Sequence, residues 1–128
     1  MKQFDYTAPG TVQQALNLIA TNPKALFLAG GTDLVVQLRS SRKITDLVID
    51  LKRIRELNEL HYDSKVGLTL GAAVPCYRIY ENQEINRTYP ALASVAALIG
   101  GIQIQGRASI GGNLCNAAPS ADAIPVLI

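Results

Sequence analysis

Apolar residues at Val12, Ala15, Leu16 and Ile19 recur every three or four positions, which predicts an amphipathic helix early in the chain. Its start is marked by Thr11, which can accept from the Gln14 backbone N–H while the Gln14 side chain reaches back. Asn22-Pro23 ends it. Ala25-Leu26-Phe27-Leu28 is too short and too uniformly apolar for a helix and reads as a buried strand. Beyond Ala29-Gly30-Gly31, the positions Leu34, Val35 and Leu38 share one side of a second helix, capped by Thr32 or Asp33, with Gln37 and Arg39 turned to water. Asp46-Leu47-Val48-Ile49-Asp50-Leu51 is the next strand. With the mixed segment 4–7 in front, the outline is β-α-β-α-β.

The pattern then changes. Residues 53–57 make a short turn, and segments 60–62 and 66–70, separated by Asp63-Ser64-Lys65, predict a hairpin. Pro75 opens a helix through Tyr80, and Pro90 opens an alanine-rich helix to Ile99 that Gly100-Gly101 closes. Ile102-Gln103-Ile104-Gln105 alternates apolar and polar and leads into Gly106-Arg107-Ala108. The apolar end, residues 123–128, reads as a helix cut one turn after it begins, so a longer natural protein is expected. The layout is α+β, with one unit over residues 1–58 and a second beginning over residues 59–128.

Composition narrows the possibilities. A chain of 128 residues with 48% apolar and 17% charged residues can build a compact core, and a net charge of +2 is too small to argue for nucleic acid or a membrane surface. The longest nearly continuous apolar run, residues 91–102, falls short of the about 20 residues that span a bilayer, and the start lacks the apolar core of a secretory signal. A cytoplasmic location is the expectation. Arg39, Arg42, Lys43, Lys52, Arg53 and Arg55 are interleaved with Asp46, Asp50 and Glu56, which reads as a solvated or partner-facing surface. Cys76, Cys115 and His61 are too few for a zinc or iron–sulfur site. Cys115 reads as a small apolar residue in a turn and His61 as an ordinary strand residue. No Ser-His-Asp set or carboxylate pair stands out, so no side chain is expected to act as a catalytic nucleophile or acid–base group.

The chemistry lies in two glycine-containing stretches. Residues 109–122, Ser-Ile-Gly-Gly-Asn-Leu-Cys-Asn-Ala-Ala-Pro-Ser-Ala-Asp, read as a ligand loop: adjacent glycines let a bulky anion approach the main chain and permit positive φ. Asn113, Asn116, Ser120 and Asp122 need many hydrogen-bond partners, which a polyhydroxylated ligand could provide as readily as the protein. The earlier stretch, Ala29-Gly30-Gly31-Thr32-Asp33-Leu34, joins a strand to a helix start, a favourable place for phosphate. Neither contains G-x-G-x-x-G or the P-loop pattern. Together they are expected to grip one dinucleotide from both sides.

Ala29-Gly30-Gly31-Thr32-Asp33-Leu34, with Ser109-Ile110-Gly111-Gly112-Asn113 and Ala118-Pro119-Ser120-Ala121-Asp122, resembles the FAD-binding medium subunit of the xanthine dehydrogenase and carbon monoxide dehydrogenase family of molybdenum hydroxylases. The resemblance covers essentially the whole chain and implies a PCMH-type FAD-binding fold of two subdomains, the second truncated here. It implies FAD contacts from Phe27, Leu28, Ala29, Gly30, Gly31, Thr32, Asp33 and Leu34, with main-chain N–H groups of residues 30–33 meeting the pyrophosphate. From the second motif it implies contacts by the Ser109 hydroxyl, by Ile110, by the amides of Gly111, Gly112 and Asn113, and by Asp122 on the sugar-like part of the cofactor. Ile99 stands where relatives can pack against FAD. Gln105-Gly106 replaces an Arg-Asn common in relatives, and Ser109 replaces a threonine.

The function so implied is an electron-transfer oxidoreductase subunit. Electrons would come from a large molybdopterin-binding subunit through a small [2Fe-2S] subunit to FAD here, and pass on to an external acceptor. The flavin supplies the chemistry and the protein binds, orients and tunes it. A non-catalytic FAD-binding or assembly module and a stand-alone PCMH-type flavin oxidoreductase are the alternatives.

Overall fold

The computed structural model describes residues 2–128. Three parallel strands, β1 (Asp5–Thr7), β2 (Leu26–Leu28) and β3 (Leu47–Asp50), form a sheet of order β1-β3-β2. Helix α1 (Val12–Thr21) connects β1 to β2 and α2 (Leu34–Arg39) connects β2 to β3, which is the expected β-α-β-α-β order. Thr11 caps α1 as its sequence requires, accepting from Gln14 N–H at 3.2 Å, but the Gln14 side chain reaches one residue further back, to Gly10 N–H at 2.9 Å. The buried stripe of α1 also differs from the expected one. Ala15, Leu18 and Ile19 face the core with Ala25, Ile49 and Ile54, while Val12 and Leu16 are exposed, because only one strip of the helix meets the core.

A 3-10 turn (Glu56–Asn58) leads into an antiparallel hairpin of β4 (Leu60–Asp63) and β5 (Gly67–Leu70). Asp63 closes it by accepting from the N–H groups of Lys65 and Val66. Helices α3 (Cys76–Tyr80), α4 (Gln83–Thr88) and α5 (Pro90–Leu98) pack together over a second core of Val74, Ile79, Ile85, Leu92 and Ala96. Helix α4 carries no apolar repeat long enough to stand out; Asn82 makes it by capping Ile85 N–H.

Two segments depart from their sequence pattern. The alternating Ile102–Gln105 is one helical turn, α6, because the Gln105 amide turns inward to donate to Ala97 O at 2.7 Å and Gly100 O at 3.2 Å, capping the end of α5. The expected ligand loop is largely α7 (Ile110–Asn116), with Ser109 as its N-cap and Ala117 in the left-handed conformation at its end. A last turn, α8 (Ile124–Leu127), follows. Among the described residues, no helix is long and apolar enough to cross a membrane.

Candidate functional site

The C-terminal edge of the parallel sheet is where the first motif begins, the usual position for a ligand crevice in such sheets. Leu28 and Asp50 are register partners at that edge, and Leu51 N–H donates to Leu28 O at 2.9 Å. Asp50 is buried there and accepts from the Tyr6 hydroxyl, from Lys52 N–H at 2.9 Å and from Lys52 Nζ at 2.7 Å. Burial alone would push its carboxyl up, but the bonds from Lys52 and Tyr6 together outweigh that and hold it below the usual carboxylate range. Lys52 Nζ also donates to Ala29 O at 3.2 Å, so this network anchors the start of the Ala29–Asp33 turn. Lys52 is therefore part of the site's foundation rather than of a merely solvated face.

The turn itself requires glycine twice. Gly31 has φ of +79°, a region costly for a residue with a Cβ. Gly30 is buried against the second motif: a Cβ on it would lie 2.1 Å from Arg107 O. Arg107 Nε in turn donates to Gly30 O at 3.1 Å. Neither Thr32 nor Asp33 caps α2 with its side chain, because Asp33 has helical φ and ψ instead of the extended ones that bring a capping oxygen over the next amides. The N–H groups of Gly31, Thr32 and Asp33 have no protein partner among the described residues.

Across from the turn stands α7. Gly111 has ordinary helical φ; it is glycine because a Cβ would lie 2.4 Å from Ala72 O. The Ser109 hydroxyl is buried and accepts from Gly112 N–H at 3.0 Å, while Asn113 N–H donates to Ser109 O. The Gly112 and Asn113 amides expected to meet the cofactor are thus engaged inside α7, and among the described residues only the Gly111 amide of those three lacks a partner. The polar demand of the segment is met largely by the protein: Asn113 Oδ1 accepts from Ala123 N–H at 3.2 Å, Asn116 Oδ1 from Gln37 Nε2 at 3.2 Å, and Asn116 Nδ2 donates to Asp33 Oδ2 at 3.3 Å.

Between the two motifs lies a cleft of about 330 Å³, within the range of small-molecule sites. Phe27, Ala29, Gly30, Gly31, Thr32, Asp33, Leu34, Ser109, Gly111, Gly112 and Asn113 border it, as does Ile99, which is also core. Three sequence candidates do not reach it. Leu28 supports the turn from below, packing under Gly31; Ile110 is buried among the α3–α5 residues; and Asp122 is exposed beyond α7, outside the cleft lining. Gln37, Lys43, Ala72, Cys115 and Asn116 also border it. The apolar stripe of α2 predicts a solvent-facing Gln37, but it stands one turn beyond Asp33 and donates to Asn116 of α7. Cys115 is an exposed helical thiol rather than the filling of a tight turn, and His61 is exposed on β4, away from the cleft.

A mixed α/β chain that folds two distant glycine motifs onto one cleft bordered by free amides is suited to an extended anionic cofactor, and the cradle fits a dinucleotide diphosphate: Cβ atoms are excluded and N–H donors are left over. The chain belongs to the family described as the FAD binding domain in molybdopterin dehydrogenase, which matches residues 2–128. A xanthine dehydrogenase FAD-binding subunit from Escherichia coli O157:H7 is 38% identical over 124 residues, 96% of this chain and 42% of that protein. Carbon monoxide dehydrogenase from Hydrogenophaga pseudoflava contains a similar chain, with a TM-score of 0.90 and 28% identity over 95% of this chain and 42% of its own. Quinoline 2-oxidoreductase from Pseudomonas putida 86 contains another, with a TM-score of 0.84 and 28% identity over 91% of this chain and 41% of its own. The chain thus spans well under half the length of these relatives.

Proposed function

We propose that this chain holds FAD as part of the flavoprotein subunit of a molybdopterin-dependent dehydrogenase. The observation that carries the reading is the meeting of Gly30 with Arg107 and of Gly111 with Ala72, which brings the free amides of residues 31–33 and 111 to one cleft. Those amides would receive the pyrophosphate, a use of fixed backbone dipoles that costs no side-chain ordering. Phe27, Leu34 and Ile99 would exclude water from the apolar parts of the cofactor. Bound FAD would supply the redox chemistry, linking the [2Fe-2S] centres of a small subunit, reduced by a large molybdopterin-binding subunit, to an external acceptor. The two separate cores support a division into FAD-binding subdomains at residues 1–58 and 59–128. An Asp122 contact to the cofactor would require the segment after Ala117 to turn back over the cleft.

Two measurements test this. The full-length protein should carry FAD at one per chain and copurify with molybdenum-containing and [2Fe-2S] subunits. Gly31→Val with Gly111→Val should abolish FAD retention; stoichiometric flavin absorbance in that variant would show the motifs are wrongly assigned.

A further inference from the structure

Among the described residues Asp33 is the one carboxylate bordering the cleft, in a site read as receiving a diphosphate. Its charge needs an account, and helix capping does not provide one. Asn116 does: its Nδ2 donates to Asp33 Oδ2 at 3.3 Å, and its Oδ1 accepts from Gln37 Nε2 at 3.2 Å. The direction of this relay is dictated from one end. An ionised carboxylate can only accept, so Asn116 must offer its NH₂ to Asp33 and its carbonyl to Gln37, and Gln37 must then offer its NH₂. Gln37 Oε1 is left buried with no donor among the described residues, an unfavourable state that the opposite amide orientation would exchange for a broken relay.

We propose that Asn116 is a positioning residue for FAD: by donating to Asp33 it holds the carboxylate toward α7 and ties α7 to α2, so that the cleft offers amides rather than a negative charge to the diphosphate. The proposal rests on the FAD reading. Asn116 joins positions that lie 83 and 79 residues away in the chain, and neither contact follows from any helix or strand pairing.

The test compares Asn116→Asp, Asp33→Asn and the double variant in the full-length protein, with two readouts: FAD dissociation constant by flavin fluorescence, and, in FAD-free protein, hydrogen exchange of the Val35 and Gln37 amides, which donate to Gly31 O and Asp33 O. Asn116→Asp sets two carboxylates face to face and should weaken FAD about tenfold and speed exchange. The double variant exchanges amide and carboxylate and should restore affinity to within about threefold, together with slow exchange. Asp33→Asn alone should not tighten binding. Tighter binding in Asp33→Asn with unchanged exchange would mean the carboxylate is only a repulsive charge, and a double variant as weak as Asn116→Asp would overturn the relay. Absence of FAD uptake by the unmodified protein would overturn the cofactor reading and the positioning role with it; normal uptake with exchange indifferent to Asn116→Asp would overturn the role of Asn116 alone.

Discussion

The carbonyl oxygen of Arg107 stands 2.1 Å from the place a Cβ on Gly30 would occupy, and Arg107 Nε returns a 3.1 Å hydrogen bond to Gly30 O. The first glycine motif meets the segment leading into the second at this point. Gly30→Ala cannot be absorbed by a rotamer change, because the obstructing atoms are main chain. We expect it to destabilise the fold by about 1–3 kcal/mol and to lower FAD affinity further by parting the cleft walls. Urea denaturation and FAD titration measure both; an unchanged midpoint would mean the two segments do not meet.

Asp50 links stability to pH. Its folded carboxyl titrates below the ordinary range, so the unfolded chain takes up its proton first as pH falls. Its contribution is complete above the unfolded value of about 3.9 and disappears as pH drops through the lower, folded value. Asp50→Asn, which keeps the shape but loses the charge facing Lys52, should cost about 1–2 kcal/mol at pH 7 and flatten the acid limb of the stability curve. An acid limb identical in the two proteins would remove Asp50 from the account.

The two thiols should behave differently. Cys76 is fully buried, and burial pushes its thiol up to about 11, whereas Cys115 is exposed on α7 beside the cleft. At pH 8 a disulfide reagent should modify Cys115 promptly and Cys76 only on unfolding. Added FAD should slow labelling of Cys115; labelling indifferent to saturating FAD would place the cofactor elsewhere.

Gln105→Ala tests the joint between α5 and α6. It removes the two bonds that satisfy Ala97 O and Gly100 O and leaves a small void in their place. Thermal unfolding should report a loss of about 1–3 kcal/mol, with restoration in no variant lacking an inward donor. Gln105→Leu, equal in bulk, separates the lost bonds from the lost packing.

Local rules carried much of the architecture. The β-α-β-α-β unit, the hairpin closed by Asp63, the cap at Thr11 and the proline-opened α5 each depend on neighbours a few residues away, and the residues that make them state as much in order. The two glycine motifs were legible for the same reason: a chain does not place paired glycines beside capping residues without a turn or a close approach to accommodate.

What only the tertiary structure decided is what each glycine accommodates and which amides remain free. Gly111 serves a helix pressed against Ala72 and not a loop with positive φ; Ser109, Gly112 and Asn113 satisfy one another; and Asp33 and Gln37 find Asn116 across the cleft. Periodicity assigns a residue to a face, but which face meets another segment 80 residues away depends on how two cores pack, and that information is in no single stretch of the chain.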